Sequence, residues 1–340
     1  MRNQEISFVN IVLCILVMWI HICSVAVVGL PKESISFFVV YVPWRLSAFV
    51  VQAFLFLSAL KLFLSKKEIT YSRFLWGRCK KIGLPYVIAV LISYMGLIHL
   101  GYYVFDGKFL LQSLFLGDMI SPFYFVVIIF QFYILFPIWK WIVERFPMCA
   151  VIVGAVLCNR IFLGYLPQII TIVSPDTTFA YNDRVFTSYL IYWILGCYAG
   201  KCYDCFLQKI KQYGVWICLC FVVTAIVNIF LSYGIKREFF RVGFLEDVHM
   251  LYVLCAILFL FWLAEMGGKK CLRFSLFQGI DGLSFYLYLY HGILLYYIQD
   301  RCLVNVLDLT TAVFWRAICC YGVTAVVALV FVFWKRRRQT

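Results

Sequence analysis

Long apolar stretches separated by short polar connections recur along the whole 340-residue chain. A helix that crosses a bilayer needs about 20 mostly apolar residues, and stretches of that length appear from one end to the other. The pattern predicts an all-α, polytopic membrane bundle of about ten transmembrane helices, with residues 1–340 forming one integral-membrane domain and no separate soluble domain. The predicted spans are 6–28, 42–64, 84–104, 122–143, 148–172, 187–203, 214–233, 248–266, 283–299 and 312–334.

The first apolar stretch, residues 6–28, contains two polar side chains, Asn10 near one end and His21 well inside. Their offset corresponds to three helical turns plus about 20°, so both lie on one face, roughly 16 Å apart along the axis. A polar group inside a bilayer is costly and usually faces a bundle interior or a water-filled cavity. We therefore expect the other helices to pack around this face.

The composition excludes an ordinary soluble protein, since 65% of the residues are hydrophobic and 14% are charged. The first stretch is also a poor signal peptide, because no small-residue cleavage site leads into a polar mature domain. Most of the 15 cysteines lie within apolar stretches, where they act as small hydrophobic residues and are expected to be free thiols. Cys202 and Cys205 have ligand-like spacing, but no second pair or suitably spaced histidines follow, so no metal site is predicted.

The net charge of +14 is unevenly distributed between the two sets of connections. With the N-terminus in the cytoplasm, the cytoplasmic connections carry roughly twice as many lysines and arginines as the outer ones. This bias predicts that both termini are cytoplasmic. It does not indicate a nucleic-acid partner, which would need the basic residues on a soluble face.

Two local features have both a structural and a functional interpretation. A basic cluster from Arg73 to Lys81 precedes Pro85. It could anchor the chain on anionic lipid, or it could bind the phosphates of a ligand. The ninth span is rich in tyrosine, which favours packing and interfacial anchoring, and it carries His291 at mid-membrane depth. From the sequence, His291 fits structural hydrogen bonding and function equally well.

Taken in order, these motifs resemble acyltransferase family 3, the bacterial multi-pass membrane acyltransferases that modify cell-surface carbohydrate. The family's first helix has an arginine, ten residues and a histidine, and Asn10 and His21 occupy those positions. Its basic Arg-x-x-Arg motif, a few residues before a proline, is matched by Arg78 and Lys81 ahead of Pro85. The other matching residues are Arg45, Phe54, Ser58, Tyr124, Phe125, Tyr133, Pro137 and His291, whereas Ala59 stands where the family has a glycine.

The resemblance implies transfer of an acyl group, usually acetyl, from cytoplasmic acetyl-CoA or another short acyl-CoA to a hydroxyl of an extracytoplasmic glycan or glycolipid. It places the protein in the bacterial cytoplasmic membrane, with acyl-CoA as co-substrate, no bound cofactor, and surface-polymer assembly proteins as further partners. His21 would be the general base, a role typically worth about 10²–10⁴-fold, although a covalent acyl-histidine stays open. The remaining assignments are Arg78, Lys81 and Asn10 to the donor, and Arg45, Ser58, Tyr290 and His291 to oxyanion or acceptor contacts.

Asn10 is the main departure from the family pattern, because an asparagine cannot supply the charge of the family's arginine. Two rival functions therefore stay open. One is a transporter or flippase for a polysaccharide or lipid-linked sugar, although the sequence lacks the internal repeats and glycine-broken helices typical of carriers. The other is an inactive relative that serves as a scaffold in surface-polymer assembly.

Overall fold

The fold is described from a computed structural model, which covers residues 3–65, 70–173, 181–304 and 308–338. Within those ranges the chain is helical and contains no β-strand, which confirms the predicted all-α class. The first eight helices are α1 Gln4–Gly29, α2 Ile35–Ser47, α3 Val50–Leu64, α4 Tyr71–Arg78, α5 Leu84–His99, α6 Gly107–Leu116, α7 Tyr124–Ile134 and α8 Phe136–Arg145. The others are α9 Met148–Val173, α10 Leu190–Lys201, α11 Tyr203–Gln212, α12 Gly214–Lys236, α13 Leu245–Glu265, α14 Ser275–Tyr297 and α15 Leu309–Arg337.

Short helical turns of other types join these helices. Two π-helical turns, Cys79–Gly83 and Ile298–Cys302, follow α4 and α14 directly. The 3₁₀ turns are Ser121–Phe123, Asn182–Arg184, Phe186–Tyr189 and Gly268–Arg273. π-helical turns are rare in proteins overall, but those that occur often lie at functional sites.

Among the described residues, seven helical stretches are long and apolar enough to cross a membrane, or eight if the pair α6–α7, bent by 50°, counts as one span. The seven are α1, α2 with α3, α4 with α5, α9, α12, α13 and α15. This fits a multi-pass membrane protein, but it does not reach the ten predicted spans. The sixth predicted span contains α10, which has only 12 residues. The ninth lies in α14, whose polar residues lower its hydropathy.

The chain contains two compact units, one formed by residues 1–53 and 205–340 and the other by residues 54–204. We call them the first and the second unit. The sequence suggests a single integral-membrane domain, and that assignment remains a prediction.

Helix α1 forms the core of the first unit and packs against α2, α13, α14 and α15. Its buried residues lie all around the helix, as expected for a helix enclosed by others rather than lying at a surface. Helix α14 runs parallel to α1, because Asn10 bonds to Asp281 near one end while His21 lies against His291 near the other. Helix α15 runs antiparallel to α1.

The N-terminal end of α1 and the C-terminal end of α15 therefore lie at the same end of the first unit. Ion pairs lie at this end: Lys269 pairs with Glu5 at 2.8 Å and with Glu265 at 3.3 Å, and Glu265 also pairs with Lys211. The hydrogen bond from Lys269 to Glu5 raises the pKa of that lysine, because it favours the charged form. That this end faces the cytoplasm remains a prediction.

The second unit is held together by close helix packing. The rings of Phe132 and Trp193 stack with centroids 4.4 Å apart, and both side chains are fully buried. On α10, Gly196 and Gly200 lie against the backbone carbonyls of Phe56 and Leu60 on α3, so that an added Cβ would collide with them. Such small-xxx-small spacing allows the two helices to approach each other closely.

Candidate active site

His21 lies two turns before the end of α1 and is half-buried, so it is less enclosed than His291, of which only 3% is exposed. Its ring lies 5.1 Å from the ring of His291, centroid to centroid, at an interplanar angle of 46°. The parallel arrangement of α1 and α14 brings these residues to the same depth. Two imidazoles thus form a pair within the apolar first unit.

The hydrogen bonding of His291 indicates which of its nitrogens carries the proton. Its Nδ1 lies 3.1 Å from the carbonyl oxygen of Leu287. Because a carbonyl only accepts, Nδ1 must donate, and the neutral ring then has its lone pair on Nε2. That Nε2 is buried and has no hydrogen-bond partner among the described residues. The His21–His291 pair therefore includes an unused proton acceptor.

Arg316 brings a positive charge next to this pair. Its Nη2 donates to the backbone carbonyl of His21 at 3.0 Å, and its Nη1 donates to Gln299 Oε1 at 3.1 Å. Only 5% of Arg316 is exposed. The carbonyl of His21 also accepts a bond from Ser24 Oγ at 2.8 Å, and Gln299 belongs to a π-helical turn. These contacts hold the backbone at His21 and compensate the burial of the guanidinium.

Arg316 falls inside the predicted span 312–334, but the sequence motifs did not identify it as a candidate site residue. An ionisable residue within a span is itself a signal of function, and that signal could have identified Arg316. Asn228 is not ionisable, but it is a polar residue inside the predicted span 214–233 and is a signal of the same kind.

Asn10 is buried at the other end of the His21 face, where its Nδ2 donates to Asp281 Oδ1 and to Ser284 Oγ, both at 2.9 Å. Sequence reasoning missed Asp281 because the ninth span was predicted to begin at residue 283, whereas α14 begins at Ser275. The amide of Asn10 thus forms bonds within the protein, so its assignment to the donor remains a prediction.

The other predicted oxyanion or acceptor residues lie in three different surroundings. Arg45 Nη2 donates to Asn228 Oδ1 at 3.0 Å, in a cluster with His249. Tyr290 is half-buried on α14, next to His291 in the chain. Ser58 belongs to the second unit and shares a hydrogen bond with Tyr133. The side chains of Arg45 and Ser58 therefore form hydrogen bonds in two separate polar clusters, that of Arg45 in the first unit and that of Ser58 in the second.

In the second unit, Arg78 lies among aromatic rings. Its guanidinium carbon is 4.9 Å from the ring centroid of Tyr133 and 5.1 Å from that of Phe74. Such cation–π contacts stabilise a half-buried guanidinium while leaving its N–H groups able to donate to an anion. Lys81 is exposed and lies on the π-helical turn Cys79–Gly83 that follows Arg78.

All 15 cysteines are free thiols, and over the described ranges no group of three or more His, Cys, Asp or Glu side chains could hold a metal ion. The polar residues around His21 are instead suited to hydrogen bonding and proton transfer, and those around Arg78 to binding an anion.

Comparisons with known proteins give a consistent picture. A family model described as an acyltransferase domain, the acyltransferase 3 model, matches residues 3–333. The "Probable poly-beta-1,6-N-acetyl-D-glucosamine export protein" of Staphylococcus aureus is 25% identical over 297 residues, which cover 86% of this chain and 82% of that protein. The "Putative membrane-bound acyltransferase YfiQ" of Bacillus subtilis is 28% identical over 222 residues, covering 63% of this chain and 60% of that protein. No solved structure matches the chain.

Proposed function

The chain belongs to the acyltransferase 3 family, and from this premise we propose that it transfers an acyl group, with acetyl as the expected group, from a cytoplasmic acyl-CoA to a hydroxyl of an extracytoplasmic glycan or glycolipid. The observation that supports this reaction is the His21–His291 pair, with the guanidinium of Arg316 bound to the backbone carbonyl of His21. Histidine is the commonest general base in enzymes, and acyl transfer to a hydroxyl needs such a base.

In the proposed reaction, His21 accepts the proton of the acceptor hydroxyl while the hydroxyl oxygen attacks the carbonyl carbon of the thioester. A C–O bond forms, the C–S bond breaks, and His21 returns the proton to the departing CoA sulfur. Arg316 stabilises the negative charge that develops close to His21, since a fixed cation in an apolar site acts strongly on nearby charge. Arg316 thus takes the electrostatic role for which sequence reasoning considered Arg45.

His291 orients His21 in this proposal. In the reaction, the lone pair on His291 Nε2, which has no partner in the structure, would accept a bond from one ring nitrogen of His21, and the other ring nitrogen of His21 would act as the base. This is the same division of roles as in a triad, where the second partner holds the base in the correct tautomer. His21 is the member assigned to the substrate because it is the less buried of the two.

Arg78 and Lys81 are the proposed contacts for the phosphates of the donor. Asn10 cannot supply charge, so the basic residues of the second unit take over that role in this chain. We also propose that both termini are cytoplasmic, in a bacterial cytoplasmic membrane; Arg78 and Lys81 would then lie on the side of the membrane that holds the donor. Surface-polymer assembly proteins remain the proposed protein partners.

The test compares cells that lack the gene with cells that express the wild type, His21→Ala or His99→Ala. His99 is an exposed histidine at the end of α5 and serves as the matched control. Acyl groups on surface glycan are quantified at equal membrane abundance of each protein. Wild type and His99→Ala should add the acyl group, and His21→Ala should reduce the rate by about 10² or more. Equal acylation in all strains would refute the proposal.

A second candidate function is glycan export, which is favoured by the name of the Staphylococcus aureus relative, a probable export protein. The same strains distinguish the two, because an exporter would change the amount of glycan at the surface without changing its acyl content. An inactive scaffold would change neither when His21 is replaced, whereas deletion of the gene would impair polymer assembly.

A further inference from the structure

A second buried polar cluster lies in the first unit, formed by Arg45 on α2, Asn228 on α12 and His249 on α13. Asn228 Oδ1 accepts from Arg45 Nη2 at 3.0 Å and lies 3.3 Å from His249 Nδ1. Asn228 is completely buried and His249 is 7% exposed. The proposed acyl transfer uses none of these three residues.

Some buried hydrogen-bond donors of this cluster have no acceptor among the described residues. Arg45 Nε and Asn228 Nδ2 are buried and have no partner among the described residues. Over the same ranges no carboxylate forms an ion pair with Arg45; Glu246 is the acidic group that acts on it electrostatically, and Glu246 is exposed. Tyr41 and Tyr252 are the other ionisable groups that act on Arg45. Buried donors without partners cost free energy, so the cluster is suited to binding oxygen acceptors that carry negative charge.

An apolar cavity of about 470 Å³ lies next to this cluster. Pro43 and Leu46 line it and flank Arg45 on α2, and Tyr252, whose ring is 6.0 Å from that of His249, also lines it. Trp19, Ala256 and Tyr321 contribute further walls. The indole Nε1 of Trp19 is a further buried donor without a partner. Arg45, Asn228 and His249 do not line the cavity themselves, but residues that flank Arg45 or contact His249 do. An apolar cavity close to anion-binding donors matches a ligand that has an apolar chain and an anionic head.

We propose that this cluster and cavity bind an anionic phospholipid of the surrounding bilayer, with its phosphate at Arg45 and Asn228 and one acyl chain in the cavity. A free anion has no apolar chain to fill the cavity. A zwitterionic lipid has no net negative charge to compensate the charge of Arg45. The inference does not depend on the proposed acyl transfer.

The test uses the purified full chain in detergent. Its thermal stability is measured with added phosphatidylglycerol, with phosphatidylcholine of the same chains, and with glycerol phosphate, which has no chain. Phosphatidylglycerol should raise the melting temperature and the other two should not. In Arg45→Met this shift should be lost, whereas Arg241→Met, which removes an exposed arginine of the same unit, should keep it.

A second variant keeps the proposal falsifiable if Arg45→Met does not fold. Ala256→Phe leaves the cluster intact but fills the cavity, and it should also abolish the shift. Equal shifts with both lipids would overturn the charge assignment, and a shift with glycerol phosphate would overturn the role of the cavity. A shift that persists in Ala256→Phe would place the lipid elsewhere, and stabilisation by a polyprenyl phosphate but not by phosphatidylglycerol would overturn the proposed source.

Discussion

The imidazole rings of His21 and His291 lie 5.1 Å apart, although the two residues belong to the first and one of the last helices of the chain. Their proximity follows from the parallel register of α1 and α14. The same register brings Asn10 to Asp281 and Ser284. The face of α1 that the sequence identified is therefore matched along its length by polar residues of α14.

The first prediction concerns His291. His291→Leu removes the free lone pair next to His21, so the orientation of the base should be lost and the turnover number should fall at least about tenfold. The KM for acyl-CoA should change little, because His291 is not assigned to the donor. Steady-state acyl transfer in membrane vesicles measures both quantities. Wild-type turnover in His291→Leu would mean that this histidine is structural.

The second prediction concerns Arg316, which we regard as both a positioning and an electrostatic residue. Arg316→Met removes the charge and the bond to the carbonyl of His21, so the turnover number should fall by about 10² with little change in KM. Arg316→Lys retains the charge and should recover part of the turnover. The control is Arg241→Met, which alters an exposed arginine. If Lys and Met variants are equally impaired, the charge of Arg316 is not what matters.

The third prediction concerns the contact between Asn10 and Asp281. Asn10→Asp places two carboxylates at hydrogen-bond distance in a buried site, and it should lower the free energy of unfolding by about 1–3 kcal/mol. The double variant Asn10→Asp with Asp281→Asn exchanges the partners and should restore most of that loss. Thermal unfolding of the purified protein in detergent checks both. A double variant that is less stable than the single one would contradict a pairwise contact.

The fourth prediction separates donor binding from membrane topology in the basic cluster. Arg78→Met and Lys81→Met should each raise the KM for acyl-CoA by about tenfold, because a charge-assisted contact to phosphate is typically worth 1.5–3 kcal/mol. The matched control is Arg73→Met, which removes an exposed arginine of the same cluster. If Arg73→Met, Arg78→Met and Lys81→Met all have the same KM for acyl-CoA, the basic cluster serves membrane topology and does not bind the donor.

The fifth prediction concerns the packing of α10 on α3. Gly196→Ala introduces a Cβ that collides with the carbonyl of Phe56, and it should destabilise the protein by about 1–3 kcal/mol. Gly154→Ala lies in α9 with nothing within 4 Å of the added Cβ, so it should be neutral or slightly stabilising. Melting temperatures and membrane abundance of the two variants test the difference. Equal behaviour would argue against direct backbone contact at Gly196.

Several features of this protein could be predicted from the sequence because they depend on local properties. Hydropathy is a property of each stretch by itself, so the membrane class and the all-α fold follow from it. Helical periodicity alone places Asn10 and His21 on one face of α1. The family resemblance, which a model matched to residues 3–333 confirms, also rests on short local motifs.

Other features depend on which helices pack together, and these only the tertiary structure decided. Arg316 is an arginine within a predicted apolar span, yet it is buried, because Gln299 and the carbonyl of His21 compensate its desolvation. Asp281 looked like a residue outside the membrane, yet it pairs with Asn10 in the core. Hydropathy assigns each polar residue a cost by its type, whereas the actual cost depends on the partners that distant helices supply. The sequence therefore determined where the polar residues lie along each helix, and the packing of α1, α14 and α15 decided which of them meet.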